Sequence, residues 1–377
     1  MKITLVAGAR PNFMKVGPII KALQLAQKST YLSYRLVHTG QHYDKKMSGD
    51  FFEQLGIPEP NANLVAGSGT QAEQTATIMV RFEKELLAYP PDVVLVVGDV
   101  TSTMACTITA KKLCIEVVHV EAGIRSNDMS MPEEINRMVT DSICDHFFTT
   151  SEVANRNLLN FGIDQSRIHF VGNTMIDTLF QNMENLRQPQ FWQQYHLIRR
   201  KYFVVTLHRP SNVDDSDNLT KLLDVIANET HEHPIVFPIH PRTRKNLNSK
   251  YINNSKFILV DPIGYLEFIY LVSNCKAVIT DSGGITEETT VLNVPCMTLR
   301  NSTERPETVT IGSNELIGTN PENLRPYLKS LQRGAWKKSA IPPLWDGKTS
   351  ERIVAKLISL YSASVDTIVT PLNDLVV

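Results

Sequence analysis

Apolar residues in this chain fall into short unbroken runs separated by stretches of helical spacing. Runs over 93–97 and 117–120 do not alternate with polar residues, so they read as strands buried on both faces, as in parallel sheets. The segment 102–113 between them has the length of a crossover helix, which makes a βαβ unit. Upstream, strands are expected over 3–7 and 34–38, with helices over 13–24, 44–56 and 71–87. Downstream, strands over 147–149 and 169–171 flank a helix over 152–161. After a polar stretch to Arg200 the alternation restarts, with strands over 202–206, 235–238, 257–260, 277–280 and 295–299. Two doubly wound α/β domains facing a central cleft account for this order. The N-terminal domain spans 1–172, with a hinge near 171–174, and the C-terminal domain spans 173–349. A terminal helix follows within 350–364, then a tail over 365–377.

Composition narrows the function. Hydrophobic content of 42% and charged content of 20% over 377 residues suffice for ordinary cores. A net charge of −1 excludes bulk electrostatic binding to nucleic acid or an acidic membrane, but leaves room for a local anion pocket. No apolar run approaches the ~20 residues of a membrane span. Met1-Lys2 leads directly into a strand, so no signal peptide is expected. The five cysteines form no CxxC pair. They read as reduced core residues of a cytoplasmic protein.

Candidate chemistry gathers where the strands end. Arg10, Asp99, Glu121, His208, His240 and Asp281 each fall at or just past the carboxyl end of an expected strand, the edge at which open α/β sheets bind ligands. Glu133 and Glu134 open the next helix and can fold over the same rim; clustered carboxylates of this kind fit acid/base work. Glu133 and Arg137 stand i, i+4, so an ordinary helix salt bridge is the alternative. Asp281-Ser282-Gly283-Gly284 opens a helix, where exposed N–H groups and glycines suit a phosphate, with Glu288 one turn on to accept from ribose hydroxyls. A plain Gly-rich turn capped by Ser282 is the other reading. His208-Arg209 and His240-Pro241-Arg242 form two His/Arg rims suited to a diphosphate. Lys15 adds a cation, unless it merely solvates a helix face. Gln41, His42 and Asp44 either contact ligand or shape a turn. No GxGxxG is present, which argues against a nicotinamide dinucleotide. No spacing fits a zinc motif, so neither cofactor nor metal is expected.

In order, the stretches GARPNFMKVGPI, TGQHYD, GDVTSTMA, HVEAGIRS, MPEEINR, VGNTMIDT, VTLHRPSNV, PIHPRT, TDSGGITEE and TERPE span almost the whole chain. Together they resemble the non-hydrolysing UDP-N-acetylglucosamine 2-epimerases, whose fold is similar to glycosyltransferases with two Rossmann-like domains (glycosyltransferase-B-type). The resemblance implies Asp99, Glu121 and Glu133 as the acid/base cluster around C2 of the sugar, with His208 at the diphosphate. Arg10, His240, Ser282, Gly283, Gly284 and Glu288 would hold UDP, with Lys15 and Arg137 nearby. It also implies a terminal helix packed on the N-terminal domain, a homodimer, and a product that feeds a surface polysaccharide. A hydrolysing 2-epimerase and a glycosyltransferase of the same fold are the alternatives. Two departures stand out. The spacing from Glu121 to Glu133 is shorter than in some bacterial members. GSGTQAEQTA lacks the arginine with which regulated members bind a second, activating UDP-sugar, so activation by substrate lies outside what the resemblance implies.

Overall fold

The computed structural model describes residues 1–40 and 56–362, apart from the side chains of Arg10, Pro11, Arg242 and Ser362. Gln41, His42, Asp44, the helix expected from 44 onward and the tail lie outside the described residues. The chain divides into two compact units, Met1–Thr178 with Asp346–Val377, and Leu179–Trp345.

The first unit is built on a seven-stranded sheet of order β3-β2-β1-β4-β5-β6-β7, with every pairing parallel. Its strands are β1 (Lys2–Ala7), β2 (Ser33–His38), β3 (Ala62–Asn63), β4 (Val93–Val97), β5 (Glu116–Ala122), β6 (His146–Thr149) and β7 (Ile168–Phe170). The helices used below are α1 (Arg10–Ala26), α2 (Gln71–Ala88), α3 (Thr101–Lys112), α4 (Pro132–Ile143), α5 (Glu152–Asn160) and α6 (Thr174–Asn182). All five residues of β4 are buried, as a strand covered on both faces requires. On one face, Val94, Val96, Val117 and Phe147 pack with Ile78, Phe82 and Leu86 of α2 and with Ala105, Cys106 and Ala110 of α3. Each fully buried Val, Leu or Phe there contributes roughly 1.5–3 kcal/mol. The strand order reverses direction between β1 and β4, the switch point at which such sheets bind ligands.

The C-terminal helix Thr349–Ser362 packs on α1. Asp177 of α6 caps its start, accepting from Thr349 N at 3.0 Å and Ser350 N at 2.6 Å. Asp177→Ala is therefore expected to cost about 1–2 kcal/mol, as for a lost helix cap. Asp177→Asn should cost less, since it keeps an acceptor and burial already disfavours the charged form. Urea midpoints of the two variants test the order.

The second unit has a six-stranded parallel sheet of order β10-β9-β8-β11-β12-β13. These are β8 (Phe203–Thr206), β9 (Ile235–Pro238), β10 (Phe257–Val260), β11 (Ala277–Thr280), β12 (Cys296–Thr298) and β13 (Asn314–Leu316). Phe203 and Val205 of β8 join Leu219, Leu222, Leu223 and Ile226 of α7 (Ser216–Glu229). Tyr202 and Val204 point the other way, to Leu271 and Val272 of α8 (Tyr265–Asn274). The switch point here lies between β8 and β11.

One expectation is corrected. Cys106, Cys144, Cys275 and Cys296 are buried and free, but Cys114 is exposed. It sits in the turn after α3 with φ +57°, which carries its side chain away from the core. Among the described residues, no helix is long and apolar enough to cross a membrane.

Candidate active site

In the first unit, the chain leaves β4 through Gly98, which takes φ +70°, and presents Asp99. A side chain at Gly98 would meet Lys15 Nζ at 3.2 Å and Glu121 Oε2 at 3.5 Å, so these groups converge on the bare face of that turn. Glu121 lies within β5, past the point where its apolar run ends. The register of β5 against β6 shifts between Val120 and Ala122, and Glu121 itself has φ +70°. A bulge of this kind re-aims the side chain of its extra residue. The left-handed conformation costs a non-glycine residue about 1–2 kcal/mol, a form of strain that clusters at functional sites. Glu121 is only 3% exposed and meets Lys15 Nζ at 2.5 Å. Lys15 is thus an ion-pair partner at the β1–α1 edge, not a solvating face. Gly123 completes the turn with φ +77°, and a Cβ there would lie 2.4 Å from the carbonyl oxygen of Ala154 in α5.

Helix α4 clamps the other carboxylate. Arg137 donates to Asp99 Oδ2 from Nε at 3.0 Å and from Nη2 at 2.5 Å, and to Glu134 Oε2 from Nη1 at 2.7 Å. Asn136 Nδ2 donates to the Asp99 carbonyl at 2.8 Å. Glu134 is buried and also accepts from Ser126 N, Ser126 Oγ and Asn127 N at 2.9–3.1 Å. Burial alone would raise its pKa; those donors and Arg137 outweigh it and hold the carboxyl below its ordinary value. Glu134 is therefore committed to holding the loop after β5. Glu133 is half-buried in the first turn of α4 and carries no such bonds among the described residues. The pairing formed by Arg137 is with Asp99 and Glu134, rather than the i, i+4 bridge to Glu133.

Three polar residues of this region, His119, Asp141 and Arg125, were not singled out from sequence. His119 of β5 is fully buried, with Nδ1 at 2.7 Å from Asp141 Oδ1 and Nε2 at 2.8 Å from the Gly98 carbonyl. Asp141 Oδ2 accepts from Gly123 N at 3.1 Å and from Arg125 Nη1 at 2.6 Å. A signal existed: Glu134, Arg137 and Asp141 share one helical face, and α4 buries them where an apolar stripe would be the rule.

In the second unit, His208 follows β8 and Asp281 follows β11, on either side of the switch point. Asp281 is fully buried and organises the His208-Arg209-Pro210 turn. It accepts from His208 N at 3.1 Å, Arg209 N at 2.9 Å and Asn212 Nδ2 at 3.1 Å, and faces His208 Nδ1 at 2.8 Å. Burial opposes its charge, but His208 and the N–H donors win, and its carboxyl lies below the usual range. His208 is 53% exposed, with Nε2 left for a ligand. His240 is exposed just past β9. Arg10 and Arg242 are placed by their backbones at the start of α1 and within the short helix Pro241–Lys245.

Helix α9 (Gly283–Val291) starts at the DSGG turn. Ser282 occupies the N-cap position but its side chain makes no cap bond, and a Cβ on Gly284 would meet nothing within 4 Å. The helix start is thus accessible to an anion. Arg300, buried, brings a guanidinium nitrogen within 3.5 Å of a Cβ position at Gly283. Glu288 is buried one turn on, and burial raises its pKa to about 8. An unfolded carboxyl ionises near 4.5, so between pH 4.5 and 8 the folded state holds the extra proton and stability falls as pH rises. Glu288→Gln should accordingly stabilise the chain more at pH 8.5 than at pH 5, by about 1–3 kcal/mol. Melting curves at the two pH values check the sign. Among the described residues, no group of three or more His, Cys, Asp or Glu is placed to hold a metal.

A family model described as UDP-N-acetylglucosamine 2-epimerase matches residues 24–358. The UDP-N-acetylglucosamine 2-epimerase of Methanocaldococcus jannaschii is 43% identical, covering 94% of this chain and 98% of its own. The UDP-2,3-diacetamido-2,3-dideoxy-D-glucuronate 2-epimerase of Pseudomonas aeruginosa is 39% identical, over 84% of this chain and 88% of its own. A solved structure of the Methanocaldococcus jannaschii UDP-GlcNAc 2-epimerase, in complex with UDP-GlcNAc and UDP, superposes with a TM-score of 0.83 at 42% identity. It covers 95% of this chain and 100% of that one.

Proposed function

This chain belongs to the UDP-N-acetylglucosamine 2-epimerase family, and from that premise we propose that it inverts C2 of a UDP-2-acetamido sugar without net hydrolysis. The observation that carries the reading is the convergence of Glu121 and Lys15 on the bare face of Gly98, next to Asp99, at the switch point of the first sheet.

The C2 hydrogen of such a sugar is not next to a carbonyl, so simple deprotonation is unfavourable. In the proposed course, a carboxylate takes the C2 proton while the C1–O bond to the diphosphate breaks. The C–H electron pair becomes the C1=C2 double bond of a glycal, and UDP leaves with the C1–O pair. Protonation of C2 from the opposite face and return of the UDP oxygen to C1 give the epimer. Two proton carriers are needed, one for each face; Asp99, Glu121 and Glu133 are the candidates. In the resting site Glu121 faces the Lys15 ammonium and Asp99 the Arg137 guanidinium. His208, held through Nδ1 by Asp281, offers Nε2 to the departing diphosphate. Ser282, Gly283 and Gly284 offer helix-start N–H groups to UDP, and Glu288 offers its carboxyl to the ribose. Arg10 at the end of β1, and His240 and Arg242 past the end of β9, are further candidates for holding UDP.

UDP-N-acetylglucosamine is the first substrate to test, and the Pseudomonas aeruginosa relative makes a 2,3-diacetamido uronate the second. Homodimeric assembly and a cytoplasmic setting belong to the same proposal, with light scattering as the check on assembly. Proton NMR in D2O with UDP-N-acetylglucosamine reads the reaction directly. The expected result is a mixture of the two epimers with deuterium at C2. Free sugar plus UDP as the sole products, or no C2 exchange with either sugar, would overturn it.

A further inference from the structure

We propose that His119 is a positioning residue for this reaction, one that fixes the Asp99 turn and, through Asp141, the Glu121 turn in a single frame. The inference rests on the functional reading above for its consequence, but on its own contacts for its geometry.

His119 is fully buried in the middle of β5, flanked by Val118 and Val120, where a valine would pack without burying a polar ring. Both of its ring nitrogens face acceptors: a carboxylate oxygen at Nδ1 and the Gly98 carbonyl at Nε2. Only a ring carrying a proton on each nitrogen donates to both. The far end of the network is equally specific. Asp141 takes the amide of Gly123 and the guanidinium of Arg125, so one carboxylate ties α4 to the turn that follows Glu121. Burial would raise the Asp141 pKa, yet His119 and Arg125 hold it below its ordinary value.

The consequence follows from what these bonds touch. The carbonyl held by His119 belongs to the residue before Asp99. The amide held by Asp141 lies two residues after Glu121. The same helix α4 clamps the Asp99 side chain through Arg137. A buried charged network is weak evidence for stability, because apolar residues of similar volume often do as well. It does hold direction, which apolar packing on two left-handed turns would not. Arranged this way, the network sets the separation of two reacting carboxylates to within the tolerance that catalysis demands.

Two substitutions divide the contacts. His119→Asn places an amide nitrogen near the position of Nδ1, keeping the bond to Asp141 and releasing Gly98. His119→Gln places one near Nε2, keeping Gly98 and releasing Asp141. With UDP-N-acetylglucosamine as the probe, His119→Asn is expected to lower kcat by about 10²-fold, the cost of a misplacement near 1 Å, with KM changed by less than about threefold. His119→Gln should recover about tenfold of that loss. Equal losses in the two variants, or kcat near wild type in both, would overturn the proposal. Crystal structures of both variants give a readout independent of turnover, and of any loss confined to stability. The Gly98–Asp99 turn should shift in the Asn variant and stay in the Gln variant; an unmoved turn in both refutes the positioning role. A wild-type chain inactive on the probe would remove the functional reading instead, and the crystal comparison would still decide the frame.

Discussion

Glu121→Gln is expected to lower turnover by at least ~10²-fold, the usual scale for a lost acid/base group. The substitution is close to isosteric, so the bulge in β5 and its left-handed residue are kept, and only the proton-carrying capacity and the charge facing Lys15 change. KM should move less than kcat, because the role proposed for Glu121 is at the reacting carbon and not at UDP. Asp99→Asn and Glu133→Gln should fall in the same range. Asp99→Asn also weakens the clamp from Arg137, so its melting temperature is the necessary control. Initial rates by NMR, with C2 exchange in D2O read in parallel, decide the matter. Near-normal turnover in all three variants would end the carboxylate-cluster mechanism.

The second large effect is expected at Asp281. Removing its carboxyl in Asp281→Ala strands the amides of His208 and Arg209 and leaves Asn212 Nδ2 with the Leu299 carbonyl alone. Leaving a buried donor without its acceptor typically costs about 1–3 kcal/mol. Asp281→Asn keeps an acceptor and should fold better, but it no longer presents a negative charge to His208 Nδ1. Turnover should fall ~10²-fold or more in both, with the slowed step being departure of UDP. Positional isotope exchange within the UDP moiety measures that step, and His208→Ala should slow it likewise. An exchange rate unchanged in His208→Ala would remove His208 from the mechanism. The pH dependence has a definite sign. The folded-state pKa of Asp281 lies below the ordinary 3.8, so the stability it confers is complete above that value and is lost as pH falls beneath it. Denaturation midpoints between pH 2.5 and 6 should show a smaller acid loss in Asp281→Asn than in the wild type, because Glu134 and Asp141 keep their own contributions.

Much of this arrangement was legible because buried parallel strands announce themselves. The runs 93–97, 235–238, 257–260 and 277–280 coincide with β4, β9, β10 and β11, since no polar residue interrupts them. The edge strands β3 and β13 left no such mark, being two and three residues long and partly polar. Glu121 shows a different limit. An apolar run that stops at Val120 suggests a strand end, whereas the backbone continues through the glutamate by reversing its φ, and no local composition encodes that choice. Of the α4 face carrying Glu134, Arg137 and Asp141, the sequence marks Glu134 as a candidate for acid/base work and Arg137 as a salt-bridge partner of Glu133, and passes over Asp141. The partners of this face come from the turns that follow β4 and β5. The polarity of a helix face says what it needs, and only tertiary contacts say where it is satisfied.

The Asp177 clasp on the C-terminal helix has a consequence for the order of assembly. A ribosome that has translated as far as Trp345 has delivered every residue of the second unit, but not the helix that lies against α1. The unit begun first is thus the one completed last, and until then the apolar side of α1 stands open to any chaperone, or any neighbour, that meets it.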